Sequence, residues 1–163
     1  MGVADVRHQE IINRADGGRL SAWDDVAAPG VPAGIIREPN ADYESRTSTQ
    51  WELEEQGDGS WLVRNEKNTT VCLQPESEPK PNVRVVLKPC TGDRNQTWQI
   101  VAEETDLDPR VGPTGWWSLR PTTNPKLAVA PQRVGFAFSD VRLFRATNSA
   151  DRLWHHKPAD KSW

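Results

Sequence analysis

Three tryptophans recur in matching surroundings, and this repetition constrains the fold more than any other feature of the chain. They lie in Thr49-Gln50-Trp51-Glu52-Leu53, Gln96-Thr97-Trp98-Gln99-Ile100 and Arg152-Leu153-Trp154-His155-His156. Upstream of each stands a short apolar pair: Ile35-Ile36, Val86-Leu87 and Leu143-Phe144. Further upstream comes a turn ending in leucine, at Leu20, Leu73 and Leu127. A strand-like run opens each third: Glu10-Ile11-Ile12-Asn13, Trp61-Leu62-Val63-Arg64-Asn65 and Trp117-Ser118-Leu119-Arg120. Four features in one order, three times over, mark a structural repeat. Each third reads strand, turn, strand, long loop, strand, loop, strand, with apolar residues alternating or in short runs. Gly57-Asp58-Gly59, between Leu53 and Trp61, is a hairpin signal. No window holds a helical period beyond two turns. The expectation is an all-β chain of three four-stranded repeats around a pseudo-threefold axis. It forms a single domain over residues 1–163, with repeats at about 8–56, 57–104 and 113–158. One repeat alone leaves an apolar face unburied, so three must close a common core.

Composition supports this and excludes several functions. Hydrophobic residues make up 36% of the chain, fewer than is usual, but eight tryptophans compensate through the area each can bury. Thirteen prolines and eleven glycines are scattered, as many short strands and turns require. The net charge is −3 and no basic run occurs, which argues against a nucleic-acid partner. No apolar stretch is long enough for membrane insertion. The N-terminal residues lack an apolar signal core, so the expected location is cytoplasmic, or secreted without a visible signal peptide.

An enzyme is not expected, and neither is a cofactor or a metal. His155 and His156 are adjacent, and neighbours on a strand point to opposite faces, which makes a poor chelate. Cys-x-x-Cys spacing, a nucleophile elbow and a phosphate-cradling glycine loop are all missing. Glu54-Glu55 and Glu103-Glu104 read as solvated surface. Cys72 and Cys90 are the whole cysteine inventory. Read by themselves they leave two options, one bridge or two small buried thiols.

Cys72-Leu73-Gln74, Val86-Leu87-Lys88-Pro89-Cys90 and Asn95-Gln96-Thr97-Trp98 together resemble the ricin-B lectin repeat, with its Cys-Leu-Asp, Leu-Trp-Pro-Cys and Asn-Gln-x-Trp motifs. The resemblance covers roughly residues 8–158 and is closest in the middle third. Thr49 and Arg152 take the Gln slot of the Gln-x-Trp motif in the outer repeats. It implies a β-trefoil with Trp51, Trp98 and Trp154 in the core and Gln96 hydrogen-bonded to a turn. It also favours a Cys72–Cys90 bridge, whereas the missing leader favours thiols, and both options stay open. The implied function is a lectin, with glycans or glycoproteins as partners and a homodimer as a possible assembly.

A sugar pocket of this family takes an acceptor after Cys-Leu, an aromatic in the next strand and an Asn before Gln-x-Trp. Repeat two carries Gln74 and Lys88 in the first two slots and keeps Asn95. Repeat three carries Ala128 but offers Phe144 and Asp151 as a secondary site. Repeat one has Ser21, followed at once by Ala22-Trp23-Asp24-Asp25, with Arg37 in the aromatic slot and Asn40 beyond it. This is similar to some fungal ricin-B-like lectins whose first repeat binds galactose-type sugars. The resemblance assigns Trp23 to stacking, Asp24 to accepting from hydroxyls, and Arg37 and Asn40 to donating. Two rivals remain. A β-trefoil protease inhibitor would act through a Pro-rich loop, with Arg110 in Asp108-Pro109-Arg110-Val111-Gly112-Pro113 entering a protease cleft. A trefoil with decayed sugar sites would serve as a protein-docking module.

Overall fold

The alternating apolar runs become short strands wherever Gly, Pro, Asn and Asp interrupt them. The computed structural model describes residues 6–36, 47–103, 107–108, 112–113 and 115–159. Repeat one contributes β1 (Val6–Asn13), β2 (Arg19–Ala22), β3 (Ala33–Ile36) and β4 (Gln50–Glu55). Repeat two contributes β5 (Trp61–Asn65), β6 (Val71–Pro75), β7 (Val85–Pro89) and β8 (Trp98–Ala102). A two-residue ladder, β9 (Leu107–Asp108) with β10 (Gly112–Pro113), lies in the connection to repeat three. Repeat three contributes β11 (Trp117–Pro121), β12 (Leu127–Pro131), β13 (Phe138–Arg145) and β14 (Trp154–Pro158).

The first and fourth strands of the repeats pair antiparallel around a closed ring: β1–β4–β5–β8–β11–β14 and back to β1. Closure leaves this ring without an open edge. The second and third strands form hairpins, β2/β3, β6/β7 and β12/β13. Bridges Pro32–Val86 and Arg84–Arg142, with the pairing of β13 to β3, draw the three hairpins together. A barrel joined to a hairpin triplet is a β-trefoil, as the resemblance implied.

Trp51, Trp98 and Trp154 are fully buried in the shared core. Each indole Nε1–H donates to a carbonyl on the second strand of its own repeat: Leu20 at 2.9 Å, Leu73 at 3.0 Å and Val129 at 3.0 Å. The repeat is therefore written in hydrogen bonds as well as in packing. The same bonds correct the alignment. Leu20 faces Ile35, Leu73 faces Leu87 and Val129 faces Leu143. Val129, not Leu127, is the counterpart of Leu20 and Leu73, and Ile35, not Ile36, is the counterpart of Leu87. The cause is that a two-residue slip keeps a strand's buried face, and that Ile35 and Ile36 are both buried. Backbone pairing alone distinguishes the registers.

Cys72 and Cys90 are bridged, with Cα atoms 5.2 Å apart, and the bond ties the start of β6 to the end of β7. Gln96 is buried, and its Oε1 accepts from the backbone N–H of Thr91 at 2.7 Å and of Gly92 at 3.3 Å. Its Nε2 donates to Pro89 O at 2.6 Å. In repeat three Arg152 Nε donates to Arg145 O at 3.2 Å. Arg145 is the counterpart of Pro89 in strand register, so Arg152 takes over that bond from the glutamine.

Candidate functional site

Trp23, Asp24 and Asp25 form a tight 3-10 turn immediately after β2. Asp24 and Asp25 both adopt left-handed backbone, with φ of 56° and 59°. Aspartate tolerates this conformation better than most residues, but each still costs on the order of 1 kcal/mol. The surroundings hold the turn in place. Trp23 N–H donates to Pro32 O at 2.9 Å, and Val26 N–H to Trp23 O at 3.1 Å. The Asp25 carboxylate accepts from Ser48 Oγ and, at 2.7 Å, from Lys67 Nζ, which also reaches Asp25 O. Asp25 is thus an anchor. Asp24 is exposed and has no hydrogen bond or ion pair among the described residues.

The Trp23 ring lies against the backbone of β3 at Gly34. A Cβ placed on Gly34 would come within 2.9 Å of Trp23 Cε3. Glycine at this point lets the indole lie down on the strand while remaining 43% exposed. Beside it is a hollow of about 260 Å³, lined by Ser21, Trp23, Asp24, Gly34, Ile36 and Phe138. Phe138 is 60% exposed and stands opposite Ile36 where β13 pairs with β3. The hollow therefore offers two aromatic surfaces and an exposed carboxylate. That combination suits a ring with one apolar face and hydroxyl edges.

Strand register also reassigns the slots. Lys88 faces Cys72, Phe144 faces Ala128 and Ile36 faces Arg19. Ile36, rather than Arg37, therefore stands at the aromatic slot of repeat one. By the same count Ala130, rather than Ala128, is the counterpart of Gln74. Arg37, Asn40 and Arg110 lie outside the described residues. Phe144 and Asp151 do come near each other, but through Arg152. The Arg152 guanidinium lies 5.2 Å from the Phe144 ring centre and pairs with the Asp151 carboxylate. Ser149 Oγ donates to Asp151 at 2.7 Å. Both groups are thus engaged by the protein itself. In repeat two a hollow of about 230 Å³ is lined by Gln74, Asn95, Glu76 and Glu78. Gln74 Oε1 already accepts from Gln96 Nε2 at 3.0 Å.

Residues 47–113 match the family model described as "Ricin-type beta-trefoil lectin domain-like". The chain is a β-trefoil, and over these residues it is similar to the ricin-B type. Solved structures agree on the fold. The chain resembles the designed three-fold symmetric protein ThreeFoil at 17% identity, with a TM-score of 0.72 over 91% of this chain and 96% of that one. It resembles the Rhizoctonia solani agglutinin at 15% identity, with a TM-score of 0.74 over 98% of this chain and 100% of that one. It also resembles the C-half of the earthworm R-type lectin, solved in complex with GalNAc, at 10% identity and a TM-score of 0.64 over 91% and 96% of the two chains. No curated protein sequence matches the chain.

The sequence reading missed Phe138. The local signal was the pair Phe136 and Phe138 in a turn-rich stretch, which in isolation reads as surface. The pairing of β13 with β3 is what carries Phe138 to the repeat-one hollow.

Proposed function

We propose that the protein is a lectin that binds a galactose-type sugar in the repeat-one hollow, without catalysing a reaction on it. One observation carries this reading: an exposed Trp23, seated on Gly34 and joined by Phe138, flanks a hollow edged by the exposed carboxylate of Asp24, which has no partner among the described residues. The family match over residues 47–113 supports carbohydrate binding. The GalNAc complex of the earthworm lectin supports the galactose type. Trp23 and Phe138 would stack on the C–H face of the ring, and Asp24 would accept from its hydroxyls. Glycoside hydrolysis takes a pair of carboxyl groups flanking the bond. Among the described residues lining this hollow, Asp24 supplies the carboxylate without a second one, which favours binding over chemistry.

A glycan array probed with the intact protein beside Trp23→Ala and Asp24→Ala tests the reading. Galactose-type glycans should be bound by the parent and lost by both variants. Binding that survives both substitutions would place the sugar elsewhere, and binding to no glycan would remove the lectin assignment. A second reading has one observation in its favour. Val134, Phe136 and Phe138 are all exposed on one stretch of repeat three, and Phe138 lines the hollow with Trp23. An apolar surface of this kind also suits a protein partner, and a null array would send that surface to a protein-interaction screen.

A further inference from the structure

Pro32, Arg84 and Asp140 stand three residues ahead of the core positions Ile35, Leu87 and Leu143, so they are threefold counterparts. The bridges between hairpins bring them around the pseudo-threefold axis. All three line a second hollow of about 450 Å³. Its walls break the symmetry. Repeat one supplies Trp23, and repeat three supplies Gln132, Arg133 and Phe138. Trp23 and Phe138 therefore border both the axial hollow and the repeat-one hollow.

The polar groups of the axial hollow are unevenly satisfied. Asp140 Oδ2 accepts from Arg142 Nε at 3.1 Å, but Asp140 Oδ1 is buried without a hydrogen-bond partner. A buried acceptor in that state costs free energy until a donor reaches it. The Arg133 guanidinium lies 5.3 Å from the Phe136 ring centre and has no anionic partner among the described residues. Arg84 is paired with Glu76 at 2.7 Å at the rim. The stretch carrying Gln132 and Arg133 is itself fixed. Gln132 N–H donates to Asp140 O at 3.0 Å, Arg133 N–H to Ser139 Oγ at 3.0 Å, and Gly135 N–H to Asp16 Oδ2 at 2.8 Å.

We propose that the axial hollow is a second sugar subsite, continuous with the first across Trp23 and Phe138, so that the preferred ligand is a disaccharide or longer glycan rather than a single sugar. The proposal rests on the carbohydrate reading of the repeat-one hollow. A terminal ring occupies that hollow beside Asp24. The next ring passes the aromatic pair into the axial hollow, where its hydroxyls meet the exposed donors of Gln132 and Arg133. A volume of about 450 Å³ is in the range of small-molecule sites.

Calorimetry with methyl β-galactoside and with lactose separates the subsites. The parent protein should bind lactose about tenfold more tightly than the monosaccharide. A Gln132→Ala/Arg133→Ala double variant, altered on exposed side chains, should bring lactose down to the monosaccharide affinity and leave methyl β-galactoside unchanged. Asp24→Ala should weaken both. Equal affinities in the parent, or a lactose advantage that persists in the double variant, overturn the second subsite while leaving the first standing. A parent that binds neither sugar fails at the first hollow, and the second subsite falls with it.

Discussion

The residue that organises each repeat is a tryptophan with two tasks. Trp51, Trp98 and Trp154 fill the core, and each also caps a strand-two carbonyl with its Nε1–H. The size of the side chain was legible in the sequence, because a Trp at the end of each repeat has few places to go except the centre. The hydrogen bond was not, since the acceptor is a backbone atom and leaves no mark on residue type. Trp98→Phe should keep most of the packing but orphan the Leu73 carbonyl. The expected loss is about 1–3 kcal/mol in urea denaturation, the cost of a buried polar group left unpaired. An unchanged midpoint would mean that the core tryptophan acts through volume alone.

Among the elements, β3 and β13 decide the candidate site. Gly34 on β3 supports Trp23, and the first residue of β13 supplies Phe138. Gly34→Ala would push a methyl to 2.9 Å from Trp23 Cε3 and 3.3 Å from Ser139 O. The indole must lift, so glycan affinity should fall several-fold while the melting temperature drops by only a few degrees. A variant with unchanged affinity would show that the ligand does not read the seated indole. In repeat two the hairpin β6/β7 is closed by the disulfide across a sequence separation of 18. Replacing both Cys72 and Cys90 by alanine should cost about 3 kcal/mol, measured by urea unfolding against the oxidised parent. The sequence left bridge and thiols open, because loop ends approach only after β6 and β7 pair.

At the scale of the molecule, the barrel closes where β14 lies between β1 and β11. At that seam Trp117 Nε1–H donates to His156 Nδ1 at 3.2 Å, and His155 stacks on Trp116 with ring centres 4.3 Å apart. Burial lowers the pKa of both histidines below the ordinary 6.5, and Lys157 adds to the shift at His155. In the unfolded chain the rings take up protons near 6.5, whereas the folded rings resist until the pH is lower. The unfolded state then binds more protons, so stability should fall as pH drops below about 6.5, and should be steady above it. Thermal melts between about pH 7 and pH 5 test this. His156→Gln retains an acceptor for Trp117 without titrating, and should flatten part of the slope. An identical slope in that variant would move the dependence to other groups.

The sequence by itself determined the number of repeats, the strand pattern within them, the tryptophans at their centre and the exposed turn carrying Trp23 and Asp24. These follow from local periodicity and turn chemistry, which act over a few neighbouring residues. Tertiary structure decided the rest. The strand ladder chose Val129 over Leu127, which share a buried face, and Ile35 over Ile36, which are buried on opposite faces. Arg152 covered Phe144, although the two are separate motifs in the chain. Trp23 and Phe138 met because β13 runs beyond its partner β12 and pairs with β3 of the first repeat. That contact joins opposite ends of the sequence, and only closure of the threefold axis brings such ends together.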